Sequence, residues 1–114
     1  MVVNFWASWC GPCKIEAPEL VSLNRKYHNQ VKIYAVNLTS GDSESEARAF
    51  AEEYGFNFPV LLDKDGKVAK LYNVAAIPTT YFISSDGIIV DRIIGFRGKD
   101  ALKSKFNNLV KAEE

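Results

Sequence analysis

The stretch Val2-Val3-Asn4-Phe5-Trp6-Ala7-Ser8-Trp9-Cys10-Gly11-Pro12-Cys13 decides the fold of this chain. Its first six residues are an apolar, β-prone run that predicts a buried strand. Gly11-Pro12 predicts the first turn of a helix, because the N–H that proline lacks would have no partner there. The two cysteines of the chain, Cys10 and Cys13, are therefore expected where a buried strand gives way to a helix.

Cys10 and Cys13 are expected to carry chemistry, since the loop they enclose is too short to restrict the unfolded chain much. The free N–H groups and dipole of a helix N-terminus favour a thiolate at Cys10. A thiol pKa lowered from ~8.5 to ~7 raises the ionised fraction at pH 7 from about 3% to about half, which takes only ~2 kcal/mol. We therefore predict that Cys10 is the exposed nucleophile that attacks a substrate disulfide, and that Cys13, one turn on, resolves the mixed disulfide.

The rest of the chain alternates between strand and helix patterns. The predicted segments are a strand over 31–37, a helix from the capping box Ser43/Glu46 to Gly55, a strand over 58–62, a short helix over 68–72, a hairpin of strands 79–83 and 88–94 around Asp86-Gly87, and a terminal helix marked by Leu102, Phe106, Leu109 and Val110. This order predicts an α/β fold with a mixed central sheet and helices on both faces. No linker divides the chain, so we expect a single domain over residues 1–114.

Composition narrows the range of partners. Of the 114 residues, 14 are Lys or Arg and 14 are Asp or Glu, and this zero net charge gives no electrostatic footprint for nucleic acid. No apolar run approaches the roughly 18 residues of a membrane span, and no signal peptide is expected because Met1 leads straight into the first strand. A metal-binding module remains an alternative, although one Cys-x-x-Cys supplies two ligands where a structural zinc site takes four.

Three sequence features resemble the thioredoxin superfamily: Trp9-Cys10-Gly11-Pro12-Cys13-Lys14, Pro18 in the following helix, and the step Ile77-Pro78-Thr79. The helix and strand at about 38–63 resemble the insertion of the TlpA/ResA-like thiol–disulfide oxidoreductases. The resemblance covers nearly the whole chain, although we expect the family's usual N-terminal first strand to be absent from it. It implies a thioredoxin fold and a redox cycle without a cofactor.

The resemblance also assigns roles to residues around the cysteines. It implies that Pro78 is a cis-proline packed against the active-site disulfide, and that Ile77 offers its backbone to an extended substrate segment. Trp9 is expected to form a platform on the substrate side. Gly11 and Pro12, which would also face substrate, resemble the spacer of reducing thioredoxins.

Glu16 is a glutamate inside an apolar stripe. On a helical wheel it shares an arc of about 120° with Cys13, Ala17, Leu20, Leu23 and Tyr27, whereas Lys14, Val21 and Arg25 lie outside it. In the TlpA/ResA-like group a glutamate at this spacing lies beneath the active site. Burial raises a carboxyl pKa, so Glu16 is expected to exchange a proton with Cys13, the alternative being a surface glutamate at the edge of the stripe.

The favoured function is therefore a thiol–disulfide oxidoreductase that reduces protein disulfides, with Cys10, Cys13 and Glu16 as its catalytic residues. A thiol peroxidase is the main alternative, because peroxiredoxins share a related insertion, although Ala7-Ser8-Trp9 does not match their Pro-x-x-x-Thr-x-x-Cys setting. The expected partners are disulfide-containing clients and an electron-donating dithiol protein, either a membrane thiol carrier or a thioredoxin reductase. The resemblance favours an extracytoplasmic monomer and leaves a cytoplasmic location open.

Overall fold

The computed structural model describes residues 1–113, which form five strands and four helices. In chain order they are β1 (Val2–Trp6), α1 (Gly11–Tyr27), β2 (Ile33–Asn37), α2 (Glu44–Glu53), β3 (Val60–Leu62), α3 (Lys67–Leu71), β4 (Thr79–Ile83), β5 (Ile89–Ile94) and α4 (Lys99–Ala112), with a short 3-10 turn (Thr39–Gly41) before α2. Every predicted strand and helix is present, with bounds that differ by a few residues.

The five strands form one mixed sheet in the order β3-β2-β1-β4-β5. β1 lies at the centre, parallel to β2 and antiparallel to β4, and the pairs Phe5–Val36 and Phe5–Thr79 fix the register on its two sides. The N-terminal amine of Met1 extends this pairing by donating to the carbonyl of Ile83 at 2.7 Å. The predicted mixed sheet flanked by helices is confirmed.

Alternation along β1 separates two packing faces, as the period of two in a strand requires. Val2 and Trp6 belong to a large core cluster that includes buried side chains of α1, α2 and α4. Val3 and Phe5 belong to a smaller cluster on the opposite face, where Ala69 of α3 packs. Three helices therefore cover the face that holds the cysteines, and the short α3 covers the other.

Helix α1 differs from its expected form in two ways. It runs without interruption through Pro18, which is exposed, although a proline inside a helix is expected to break or kink it. Its buried face also extends beyond the expected arc to Val21 and Asn24. Asn57, in the segment before β3, packs over both residues. The side chain of Asn24 donates a hydrogen bond to the carbonyl of Asn57 at 3.0 Å, and the side chain of Asn57 donates one to the carbonyl of Val21 at 3.3 Å.

The expected capping box at the start of α2 is only half formed. The hydroxyl of Ser43 accepts the N–H of Glu46 at 3.1 Å, which is the predicted N-cap. The N–H of Ser43 donates to the carboxylate of Asp42 at 2.8 Å, so the preceding residue takes the place expected for the Glu46 side chain.

Candidate active site

The cysteine pair lies at the predicted junction and forms a disulfide. Cys10 is the N-cap of α1, with extended backbone angles, and its Cα lies 5.2 Å from that of Cys13. The Cys10 Sγ accepts the N–H of Cys13 at 3.2 Å. A free N–H at a helix start can also donate to a thiolate, so this donor is in place for the Cys10 sulfur once the disulfide is reduced.

The expectation that Cys10 is the exposed member of the pair is wrong for the disulfide form. Cys10 and Cys13 are both 4% exposed, since each sulfur is bonded to the other and both residues pack into the large core cluster. The exposed surface beside them belongs to Trp9, which is 62% exposed, and to Gly11 and Pro12. These three residues therefore form the exposed surface around a largely covered disulfide.

The loop between β1 and Cys10 is held by the segment that follows β2. The indole Nε1 of Trp9 donates to the carbonyl of Gly41 at 2.8 Å. The N–H and hydroxyl of Ser8 donate to the two carboxylate oxygens of Asp42 at 2.7 and 2.6 Å. Sequence reasoning missed Ser8, Gly41 and Asp42, because these contacts span more than thirty positions and local pattern holds no sign of them.

The peptide bond between Ile77 and Pro78 is cis, as predicted. The last register pair between β1 and β4 is Phe5–Thr79, so Pro78, one residue before Thr79, lies at the end of the sheet where the cysteine loop leaves β1. Pro78 is buried, and Ile77 is half-buried against the core on both faces. The orientation of the Ile77 backbone towards a substrate stays a prediction.

Glu16 is buried beneath this region with a polar partner. It is 2% exposed, and its carboxyl accepts a hydrogen bond of 2.6 Å from the side chain of Asn4, which also donates to the hydroxyl of Thr80 at 2.9 Å. Burial raises the pKa of Glu16 to about 7, and the hydrogen bond from Asn4 opposes that rise. The prediction of a buried carboxyl with a raised pKa is confirmed, and its position three residues after Cys13 puts both side chains on one face of α1.

Two negative findings concern the described residues 1–113. Within them, no three His, Cys, Asp or Glu side chains gather in a way that could hold a metal ion. None of their helices has both the length and the apolar character needed to cross a membrane.

Fold and site together define a thioredoxin-like domain with a Cys-x-x-Cys centre. Residues 1–92 match the AhpC/TSA family. The thioredoxin-like protein YneN of Bacillus subtilis is 41% identical over 108 residues, which cover 94% of this chain and 63% of that protein. The thiol–disulfide oxidoreductase ResA of Bacillus subtilis is 37% identical over 113 residues, covering 98% of this chain and 62% of ResA. The chain thus spans less than two thirds of the length of these relatives.

Solved structures agree with these relatives. A putative thiol:disulfide interchange protein DsbE from Chlorobium tepidum superposes with a TM-score of 0.87 and 31% identity, over 96% of this chain and 78% of that one. A secreted Mycobacterium tuberculosis disulfide oxidoreductase homologous to E. coli DsbE superposes with a TM-score of 0.84 and 26% identity, over 95% and 80%. The chain belongs to the AhpC/TSA family, as a TlpA/ResA-like member of the thioredoxin superfamily.

Proposed function

We propose that this chain is a thiol–disulfide oxidoreductase that reduces protein disulfides through Cys10 and Cys13. The observation that carries the proposal is the position of Cys10 at the N-cap of α1, where its sulfur accepts the N–H of Cys13. This arrangement stabilises a thiolate at the first cysteine and keeps the second within reach of it.

The cycle begins with the reduced pair. The Cys10 thiolate attacks one sulfur of a substrate disulfide, so that a Cys10–substrate bond forms and one substrate thiolate leaves. The Cys13 thiolate then attacks the Cys10 sulfur, the Cys10–substrate bond breaks, and the second substrate thiolate leaves. Two electrons have then passed from the cysteine pair to the substrate. A dithiol protein supplies two more electrons to the pair by reducing the Cys10–Cys13 disulfide, which restores the reduced form.

Glu16 is proposed as the group that accepts the proton of Cys13 before this second attack. A pKa of about 7 leaves Glu16 divided between its neutral and ionised forms at neutral pH, so it can both take up and release a proton there. Asn4 holds the carboxyl on the face of α1 that Cys13 shares. The two groups are expected to titrate as a coupled pair.

Substrate contact is proposed for Trp9, Gly11 and Pro12 on one side of the disulfide and for Ile77 and Pro78 on the other. The exposure of the first three and the position of Pro78 at the same end of the sheet support this surface. The reducing direction rests on the Gly-Pro spacer, which resembles that of reducing thioredoxins.

The proposed partners are disulfide-containing client proteins and a dithiol electron donor. An extracytoplasmic location is proposed, supported by a structural relative whose description calls it secreted. We also propose that residues 1–114 act as one domain and as a monomer.

Trapping tests the roles of the two cysteines. With a disulfide substrate such as insulin, Cys13→Ser should accumulate a mixed disulfide through Cys10, and Cys10→Ser should not. Capture through Cys13 alone would reverse the assignment of nucleophile and resolver.

Two parallel assays separate the alternatives. The reduced protein should cleave insulin disulfides faster than the dithiol donor alone, and it should consume hydrogen peroxide no faster than its Cys10→Ser variant. Peroxide consumption without insulin reduction would favour the thiol peroxidase, and stoichiometric zinc in the purified protein would favour the metal-binding module.

A further inference from the structure

We propose that Asp42, in the segment between β2 and α2, is a positioning residue that holds the loop presenting Cys10. The inference rests on the proposed function, because it concerns how the same site keeps its nucleophile in place. Asp42 lies far from Cys10 in sequence and is half-buried beside the loop that links β1 to α1.

The carboxylate of Asp42 accepts four hydrogen bonds from three different parts of the chain. The N–H and hydroxyl of Ser8 donate at 2.7 and 2.6 Å, the side chain of Asn37 at 3.0 Å, and the N–H of Ser43 at 2.8 Å. Hydrogen bonds to an ionised acceptor are the strong ones. Although partial burial raises the pKa of Asp42, these donors outweigh it and hold that pKa below its usual value. Asp42 thus ties the end of β2 and the start of α2 to Ser8.

A second hydrogen bond, made by Trp9, attaches the same loop to the same segment. Trp9 follows Ser8 and donates its indole N–H to the carbonyl of Gly41, the residue before Asp42. Ser8 and Trp9, in the loop between β1 and α1, are therefore hydrogen-bonded to Asp42 and Gly41, in the segment before α2. The N–H of Cys10 closes the loop by donating to the carbonyl of Ala7 at 3.2 Å. This double attachment leaves Ser8 and Trp9 little freedom, and they set the direction in which Cys10 enters α1.

The position of Cys10 matters because its thiolate depends on the N–H groups at the start of α1. If Asp42 no longer held the loop, Cys10 could move away from the N–H of Cys13. Loss of that donor would raise the pKa of the Cys10 thiol. The negative charge of Asp42, acting alone, would do the reverse: it disfavours a nearby thiolate, and its removal would lower that pKa. Removal of Asp42 is therefore expected to raise the pKa of the Cys10 thiol if Asp42 acts by positioning, and to lower it if Asp42 acts through its charge.

The test measures how fast iodoacetamide alkylates Cys10 in the fully reduced protein across a range of pH. In this reaction the thiolate forms a sulfur–carbon bond and iodide leaves, so the midpoint of the rate profile follows the ionisation of the Cys10 thiol. Asp42→Ala, Asp42→Asn and Ser8→Ala are compared with the natural chain. The charged side chains beside Ser8, which are Lys14 of α1 and Glu46 and Glu53 of α2, stay unchanged in all of these variants, as does Glu16.

The matched control is Asp65→Ala. Asp65 is an exposed aspartate in the turn before α3, where it accepts the N–H of Lys67 at 3.1 Å. Its removal changes the net charge as Asp42→Ala does, without touching the cysteine loop.

With Asp42→Ala we expect the midpoint to rise by roughly half a pKa unit, so that alkylation of Cys10 at pH 7 slows by about twofold. Asp42→Asn and Ser8→Ala should shift it in the same direction by less, and Asp65→Ala should leave it unchanged. If Asp42→Ala fails to fold, the two milder variants carry the test.

A lower midpoint in both Asp42 variants would overturn the inference and assign Asp42 an effect through its charge. An unchanged midpoint with a lower thermal stability would overturn it too and leave Asp42 a structural role. If the natural chain fails to reduce insulin while the midpoint rises as expected, the proposed function fails and the positioning role stands.

Discussion

Glu16 is a carboxylic acid in the core whose described partner is an amide, not a cation. Burial disfavours its charged form because the carboxylate loses its hydration, and the hydrogen bond from Asn4 offsets only part of that cost. The rise of its pKa from 4.5 to about 7 corresponds to about 3 kcal/mol. A group with this pKa changes its charge within the range of pH in which cells work, which an exposed glutamate does not.

Glu16→Gln should therefore change the pH dependence of disulfide reduction and leave the fold intact. Glutamine keeps the shape of the side chain and cannot accept the proton of Cys13. We expect the natural chain to gain rate as pH rises through about 7. The variant should lose that gain and release its mixed disulfide about tenfold more slowly, which is less than the roughly 10²–10⁴-fold that a general base typically contributes.

The control for this prediction is Glu19→Gln, one turn further along α1 and only half-buried. Rates for it are measured with the same substrate from mildly acidic to alkaline pH. Profiles of Glu16→Gln that overlay those of the natural chain would reduce Glu16 to a structural residue.

The segment between β2 and β3 supports the active-site strand through aromatic packing. Phe50 of α2 lies 4.7 Å from the ring of Trp6, the last residue of β1, and 4.4 Å from that of Tyr54. Phe56 packs against Trp6 and Phe50 at 5.4 and 5.7 Å. This aromatic group and the contacts of Asp42 attach the segment to the strand and the loop that lead to Cys10.

Phe50→Ala should lower the free energy of unfolding by about 3–5 kcal/mol, because it leaves a cavity among rings that cannot close over it. Phe50 is 5% exposed, whereas Leu71 of α3 is 80% exposed. Urea unfolding of the oxidised protein checks the loss, with Leu71→Ala as the matched control. Equal losses in the two variants would contradict the packing around Phe50.

Much of the molecule follows from local pattern. The apolar run 2–7, the proline at the start of α1 and the Asp86-Gly87 turn each determine one strand, helix or hairpin through chemistry within a few residues. The stripe on α1 was also enough to predict that Glu16 is buried. These features depend on periodicity and backbone preference, which a single sequence records.

Features that depend on distant neighbours were not predicted. Val21 and Asn24 are buried because Asn57 reaches them, and Ser8 is held because Asp42 folds back to it. The covered state of Cys10 likewise follows from its bond to Cys13 and from packing against the core. Such contacts are set by the path of the chain, and the local sequence carries no mark of them.

The shifted pKa values of Glu16, Asp91 and Asp42 place the maximum of stability between about pH 3.8 and about pH 4.5. The contribution of Glu16 is fully present below its unfolded pKa of 4.5 and is lost as pH rises through its folded pKa of about 7. Asp91 acts in the opposite sense, since a hydrogen bond from Lys105 lowers its pKa below 3.8 and its contribution is lost as pH falls through that lower value. Asp42, with its lowered pKa, behaves like Asp91.

Urea unfolding of the oxidised protein at about pH 5 and about pH 8 measures this dependence. We expect the natural chain to be less stable at the higher pH by up to about 3 kcal/mol, and Glu16→Gln to lose most of that difference. A difference of the same size in both proteins would assign the effect to other groups.

The central place of β1 has a consequence for synthesis on the ribosome. Of the five described strands, this one leaves the ribosome before the others, yet one of its two neighbours, β4, is made only when translation reaches residues 79–83. Until then the nascent chain carries a strand whose five residues are all buried in the folded protein and which has one open side. Such a strand favours association between neighbouring nascent chains. We expect a chain released at residue 78 to aggregate and one released after α4 to stay dispersed, a contrast that sedimentation of the translation products would show.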